Sequence, residues 1–98
     1  AFRVRPFYNL DQPVGRNKSN LRDDVTLVQF FLNNIRKHPN LLLGNLKPPA
    51  SQLRVSGTFD NATHDWIIAF QTAVKAGFQP NMLIDGIVDP ARGYNSQK

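Results

Sequence analysis

The apolar positions in the first half of the chain recur at intervals of three and four residues. They are Val25, Val28, Phe31 or Leu32, and Ile35. This spacing places side chains on one face of an α-helix. Asp23 or Asp24 is suited to cap the first turn, because a short carboxylate accepts hydrogen bonds from N–H groups that lack a helical partner. The pattern predicts a first helix over 24–37, ended by Pro39.

A second stripe with helical spacing follows Asp60. Its members are Thr63, Trp66 or Ile67, Phe70 and Val74. They predict a second helix over 61–76. Gly77 comes directly after this stripe, and glycine in the left-handed conformation commonly closes a helix. We therefore expect Asp60 to cap the start of this helix and Gly77 to end it.

The end of the chain carries a third helix signal. Asp89 is followed by Pro90, which is the arrangement of a cap with proline at the first helical position. A short helical turn is therefore predicted through Tyr94. Together these elements predict a mainly α domain over 21–94, with a frayed tail at 95–98.

The remaining segments lack a sustained period. Residues 1–20 form an irregular N-terminal arm, whose apolar side chains are too many for a free tail and are expected to pack back on the domain. Residues 41–52 combine a leucine cluster with two adjacent prolines and predict a long Leu/Pro loop. Gly57 and Asp85-Gly86 mark tight turns, where a positive φ favours glycine.

The two helices and their turns form an internal repeat. An apolar-x-x-apolar-Gln motif stands at 25–29 and again at 67–71. A glycine turn of the form x-Gly-x-apolar-Asp-x-Ala follows each helix, at 56–62 and at 85–91. The physical interpretation is a helix packed under a glycine turn, built twice so that each helix covers the other's apolar stripe.

A glutamine ends each helical motif, and its amide both donates and accepts hydrogen bonds. We therefore predict that each glutamine bonds to turn backbone that would otherwise lose its water. The predicted structural residues are Gln29, Gly57, Asp60, Gln71, Asp85 and Gly86.

These motifs resemble those of the peptidoglycan-binding-domain-like family. The matching stretches are Asp24-Val25-x-x-Val28-Gln29-x-x-Leu32, Gly57-x-Phe59-Asp60-x-x-Thr63, Ile67-x-x-Phe70-Gln71 and Asp85-Gly86-x-Val88. The likeness covers about 20–94 and implies a three-helix domain of two pseudo-repeats. Members of the family are appended to wall hydrolases, amidases, carboxypeptidases and phage endolysins. The chain departs from the family pattern at Ser56, where Asp is usual, at Arg92, where Thr is usual, and in the additional Leu/Pro loop.

Composition narrows the function classes. The 98 residues carry a net charge of +5 and contain no cysteine, which excludes disulfides and thiolate sites. The first half is the basic one, and such a surface is suited to nucleic acid, anionic lipid or an acidic polymer such as bacterial wall. The second helix exposes Asp65 and few basic residues beyond Lys75, so nucleic acid is not predicted as a partner. No apolar run approaches the length of a membrane span.

The chain lacks the usual constellations of catalytic residues. His38 and His64 have no metal-ligand spacing and no third ligand nearby, so neither a metal nor a cofactor is predicted. The serines lack a G-x-S-x-G setting. With no glutamate, an acid/base pair must be two aspartates, and Asp60 and Asp89 both occupy cap positions. We therefore predict that the protein is not an enzyme.

Five residues near the first glycine turn are candidates for ligand binding. Arg54 is suited to bind a stem-peptide carboxylate through two parallel hydrogen bonds. Asn61, Thr63 and His64 are suited to hydrogen-bond acetamido or peptide groups, although Thr63 is equally suited to an internal contact. Trp66 is either core, the usual place of an aromatic at helical spacing, or a partly open platform for a sugar ring.

The resemblance implies a non-catalytic module that binds peptidoglycan, through the glycan strand or the stem peptide, and targets an attached or partner wall enzyme or effector. Its location would be the bacterial cell envelope or the secreted fraction, although the chain has no targeting segment. The alternative is a protein-interaction module in a secretion-system or phage-tail assembly. The leucines and phenylalanines of the arm and the Leu/Pro loop favour that alternative, because exposed apolar clusters are typical of protein contacts.

Overall fold

A computed structural model describes residues 10–38, 45–77 and 80–89. The described part is mainly helical, with two helices and no strand: α1 spans Arg22–Lys37 and α2 spans Asn61–Gly77. Both predicted helices are therefore confirmed, and α1 begins two residues earlier than its apolar stripe indicates. A three-helix bundle is not found among the described residues. The third helical turn, the frayed tail and the leucine cluster at 41–43 lie outside them, and the third helix stays a prediction.

The start of α1 differs from the predicted aspartate cap. Leu21 occupies the cap position, and its side chain makes no capping hydrogen bond. Asp24 is instead buried inside the first turn, where its carboxylate accepts hydrogen bonds from the backbone N–H groups of Asp11 (3.1 Å) and Gln12 (3.0 Å). Asp24 therefore fastens the N-terminal arm to α1, a long-range contact that local capping rules do not contain.

We expect Asp24→Ala to lower the free energy of unfolding by about 2 kcal/mol, because hydrogen bonds to charged groups contribute about 1.5–3 kcal/mol. The matched control is Asp23→Ala. Asp23 shares the first turn of α1 and its favourable position near the helix dipole, but it is exposed. Urea unfolding of the two variants checks the prediction. Equal losses of stability would show that the arm contact contributes nothing.

The N-terminus of α2 has the predicted aspartate cap. The Asp60 carboxylate accepts from the backbone N–H of Thr63 at 2.8 Å and from its hydroxyl at 2.6 Å. The C-terminus differs, since Gly77 is the last residue of α2 rather than the residue that follows it. Beyond it, the Lys75 ammonium donates to the carbonyl of Pro80 at 2.7 Å. This lysine therefore binds the chain that returns from the helix end.

The two helices enclose a single apolar core. Phe31 and Phe70 meet across the helices edge to face, with ring centroids 5.3 Å apart. Leu10 and Val14 of the arm are fully buried in the same cluster. The buried apolar residues are Leu10, Val14, Val25, Val28, Leu32, Ile35, Leu46, Trp66, Ile67, Phe70, Ala73, Val74 and Val88. Neither described helix combines the length and apolarity needed to cross a membrane.

The described part of the arm is held at Val14 and at Asn20. Val14 pairs with Val88 in an isolated antiparallel bridge, with N–H to oxygen distances of 2.9 and 2.8 Å. The Asn20 amide accepts from the Gly15 N–H at 2.9 Å and donates to the Gly15 carbonyl at 2.8 Å. This amide closes the loop that leads into α1. The segment after the second glycine turn is thereby paired with the segment before the first helix.

Candidate functional site

Gln29 of α1 holds the first glycine turn. Its Oε1 accepts hydrogen bonds from the backbone N–H groups of Ser56 (2.8 Å) and Gly57 (2.9 Å). Its Nε2 donates to the carbonyl oxygen of Thr58 at 3.0 Å and to the hydroxyl of Thr63 at 2.9 Å. Because Gln29 is fully buried, these bonds replace water for both the amide and the turn.

Gln71 of α2 holds the second glycine turn in the same way. Its Oε1 accepts from the Gly86 N–H at 2.8 Å, and its Nε2 donates to the Ile87 carbonyl at 3.0 Å. The same Nε2 donates to Oδ1 of Asp85 at 3.2 Å. Each glutamine therefore bonds to the glycine N–H and to the carbonyl of the next residue. The hydrogen bonds expected from the sequence repeat are present in both copies.

Ser56 in the first turn makes the same local hydrogen bond as Asp85 in the second. The Thr58 N–H donates to the Ser56 hydroxyl at 3.2 Å, as the Ile87 N–H donates to Asp85 Oδ1 at 3.0 Å. Both are side-chain bonds to the backbone two residues on, which is typical of serine and aspartate turns. The serine of the first copy therefore supports its turn as the aspartate of the second copy does.

Both turns require glycine and lie against a helix. Gly57 has φ +82° and Gly86 has φ +74°, values that residues with a Cβ rarely adopt. A Cβ on Gly57 would lie 2.9 Å from Cγ of Arg22, and one on Gly86 would lie 2.7 Å from Cε1 of His64. Arg22 and His64 each precede their glutamine by seven residues. The repeat therefore extends to the side chains that pack beneath each turn.

A groove opens between segment 45–49 and α2. Its volume is about 570 Å³, within the range of about 300–1,000 Å³ that is typical of small-molecule sites. It adjoins the second glycine turn, because His64 and Ile68 both line the groove and face Gly86. We call it the α2 groove. Its lining residues are Asn45, Lys47, Pro49, His64, Asp65, Ile68, Ala69 and Thr72.

Ser51 ties the loop side of the α2 groove to the helix. Its carbonyl oxygen accepts from the indole N–H of Trp66 at 2.9 Å. Its hydroxyl donates to Oδ2 of Asp65 at 2.7 Å. The first bond anchors the loop to a buried ring, and the second fixes the direction of a carboxylate that lines the groove. One charged wall of the groove is therefore positioned before any ligand binds.

The α2 groove is lined by both signs of charge and by aliphatic side chains. Lys47 is exposed, and its ammonium makes no hydrogen bond or ion pair with the described residues. Asp65 uses Oδ2 for Ser51, so Oδ1 is left for another donor. Nδ1 of His64 is buried and lacks a hydrogen-bond partner within the described part of the chain. The groove thus offers one cation, one anion and the aliphatic surface of Ile68.

The predicted binding residues do not form one site. Of the five, His64 alone is among the residues that line the α2 groove. Arg54 is exposed and makes no hydrogen bond with the described residues. Asn61 is also exposed, and its Oδ1 accepts from the Arg16 guanidinium at 3.3 Å. Arg54 and Asn61 are therefore accessible to a ligand, but they lie outside the groove lining.

Two of the predicted binding residues are corrected by their burial. Trp66 is 2% exposed and its indole N–H is already bonded to Ser51, so its ring cannot stack on a sugar. Thr63 is fully buried and its hydroxyl lies between Gln29 and Asp60. Both side chains stabilise the domain from within. Apolar periodicity alone places them on the core face, and the structure favours that interpretation.

Sequence reasoning missed Lys47 and Asp65 as partners in one groove. They are 18 positions apart, and only the docking of the loop through Ser51 brings them to one site. A partial signal exists in α2: His64, Asp65 and Ile68 lie beside the buried stripe, on the flank that a covering loop can reach. The additional loop itself was the second signal, since an insertion next to a turn can form one wall of a groove.

Within residues 10–38, 45–77 and 80–89, no three His, Asp, Glu or Cys side chains lie together in a way that could hold a metal ion. Comparison with protein-family models, curated proteins and solved structures finds no match to this chain. The function is therefore inferred from the contacts described above and from the motifs that carry the family resemblance.

Proposed function

We propose that this chain is a non-catalytic module that binds peptidoglycan and targets an attached or partner wall enzyme or effector. The observation that carries the proposal is the α2 groove beside the second glycine turn, because it combines a fixed carboxylate, a free ammonium and aliphatic side chains. Peptidoglycan offers matching groups, since its peptides carry charged termini and aliphatic side chains. The proposed location is the bacterial cell envelope or the secreted fraction.

The two glutamine-held turns support this proposal. The motifs that carry the family resemblance each contain a glutamine and a glycine turn. In both copies the two are joined by a hydrogen bond, between Gln29 and Gly57 and between Gln71 and Gly86. The turns also hold the framework of the groove, since the second turn packs on His64. A site held in place before binding loses less conformational entropy when the ligand arrives.

Such a module acts by proximity rather than by chemistry. When one part of a protein is held on an insoluble polymer, a linked enzyme experiences its substrate at an effective concentration set by the linker. Weak binding at a single groove is then sufficient, because many equivalent sites repeat along the wall. The third helix implied by the family resemblance belongs to this proposal as well.

A protein-interaction module is the second candidate. It is favoured by exposed apolar side chains: Leu83 is 70% exposed and the neighbouring Ile84 is also exposed, while Phe30 projects from α1 with 65% of its surface in solvent. Apolar side chains of this size contribute most to protein interfaces when they form one contiguous patch. The experiment below separates the two candidates.

The test is retention of the purified chain on insoluble peptidoglycan sacculi at low and moderate salt. Specific binding survives moderate salt, whereas attraction of a basic surface to an acidic polymer is screened. We expect Arg54→Ala, which removes an exposed cation outside the α2 groove, to weaken retention by about fivefold or less, because an ion pair at an exposed site contributes about 0.2–1 kcal/mol. Its melting temperature should change little, since Arg54 bonds to none of the described residues.

Arg36→Ala is the matched control, because it removes the same charge from an exposed arginine whose guanidinium bonds only to Asn33 among the described residues. Equal losses for Arg36→Ala and Arg54→Ala would mean that only net charge matters. Unchanged retention of Arg54→Ala would remove Arg54 from the binding surface. No retention of the unmodified chain would favour the protein-interaction candidate.

A further inference from the structure

We infer that the α2 groove binds the stem peptide of the wall polymer, through one free amino group and one free carboxylate on an aliphatic segment, and not the glycan strand. This inference rests on the proposed function and names the part of the polymer that the groove recognises. Its basis is the chemistry of the groove lining, which combines opposite charges with aliphatic side chains.

The anionic side of the groove is built to receive an ammonium group. Asp65 is half-buried, and Ser51 holds its Oδ2 at 2.7 Å while Oδ1 makes no hydrogen bond to the described residues. Ser51 is itself held by Trp66. A carboxylate with one oxygen fixed and the other available accepts a hydrogen bond from a cation without losing much side-chain freedom.

The cationic side is supplied by the loop. Lys47 lines the same groove, and its ammonium makes no ion pair with the described residues. Ile68 and Ala69 of α2 and Pro49 of the loop line the same groove. A ligand with separated charges joined by methylene groups satisfies both charges and covers these side chains, and the peptide of the wall polymer has this chemistry.

The glycan strand fits the groove less well. Recognition of sugar rings commonly uses an exposed aromatic face, and Trp66, the indole nearest the groove, is 2% exposed. The Thr72 hydroxyl already donates to the Ile68 carbonyl at 2.8 Å. The acetamido sugars carry no free amino group and would leave Asp65 without an opposite charge. The lining therefore favours a zwitterionic peptide over a saccharide that has no cation.

The test compares soluble stem peptides with peptide-free glycan fragments by calorimetric titration of the whole chain. We expect the free peptide to bind and the glycan fragments not to bind. Amidation of the peptide carboxylates should weaken binding about fivefold, as should acetylation of its amino group, which is the upper range for a part-exposed ion pair.

Variants then assign each charge through a double-mutant cycle. In Lys47→Met, amidation of the peptide should have no further effect, while acetylation should still weaken binding about fivefold. In Asp65→Asn, which keeps an acceptor for Ser51, acetylation should have no further effect, while amidation should still weaken binding about fivefold. Lys37→Met and Asp23→Asn are the controls, since both residues are exposed on α1 and outside the groove lining. The modified peptides test the inference even if a variant fails to fold.

Three outcomes would overturn the inference, and they differ in what they mean for the proposed function. Retention on sacculi with binding to glycan fragments and not to the peptide would overturn the inference and leave the proposed function standing. Failure to bind sacculi, peptide and glycan alike would overturn both. Loss of peptide binding on amidation that is equally large in Lys47→Met would also overturn the inference, because the carboxylate would then bind elsewhere.

Discussion

Val28→Asp is expected to unfold the domain. Val28 is fully buried at the centre of the α1 stripe and belongs to the common core. An unpaired charge in that position costs several kcal/mol, which is of the order of the total stability of about 5–15 kcal/mol for a domain. Circular dichroism should show loss of helix and no cooperative thermal transition.

Phe30→Asp is the matched control, two residues further along the same helix. Phe30 is 65% exposed, so the same aspartate there remains in water and should change stability by only about 0.5 kcal/mol. A cooperative transition in Val28→Asp with near-normal midpoint would contradict the assignment of the α1 stripe to the core. A large loss in Phe30→Asp would instead indicate that this ring is covered.

Gln29→Met is expected to lower the free energy of unfolding by about 3 kcal/mol. Methionine preserves length and shape, so the change isolates the hydrogen bonds. It leaves the backbone N–H groups of Gly57 and Ser56 without their shared acceptor, and a buried group left unpaired costs about 1–3 kcal/mol. Thermal unfolding should show a midpoint lower by about 15 °C, given about 4–8 °C per kcal/mol for a domain of this size.

Two further variants calibrate this result. Gln71→Met should cost less, about 2 kcal/mol, since among the described residues its Oε1 accepts from one backbone N–H, that of Gly86, where Oε1 of Gln29 accepts from two. Gln52→Met changes an exposed glutamine and should leave the midpoint nearly unchanged. If Gln29→Met were as mild as Gln52→Met, the turn would be held by its backbone alone.

Apolar periodicity was sufficient to locate both helices. The spacing of three to four residues is set by the geometry of the helix itself, whichever element covers the apolar stripe. The ends of the helices were harder to predict. Asp24 has the composition of a local cap, yet its carboxylate bonds to the backbone of Asp11 and Gln12. Leu21, which has no capping group, stands at the cap position. Contacts with the N-terminal arm determine where α1 begins, and the path of the arm depends on the whole fold.

The candidate site, like the helices, could be predicted from the sequence only in part. Gln29 and Gln71 were found from the repeat, because two copies of one pattern in register indicate a shared contact. Trp66 was open to two interpretations, since aromatic spacing alone does not report burial. Lys47 and Asp65 line one groove because of the way the additional loop docks on α2. Neither the repeat nor the family resemblance gives the position of that loop.

The bridge between Val14 and Val88 has a mechanical consequence. Because the pairing is antiparallel, Pro13 and Asp89 lie on the same side of the bridge. The segment ahead of the bridge is itself anchored, since Leu10 is buried in the core and Asp24 holds the backbone of Asp11 and Gln12. Tension applied ahead of Leu10 would therefore load the core and the Asp24 contact before it reaches the two hydrogen bonds of the bridge.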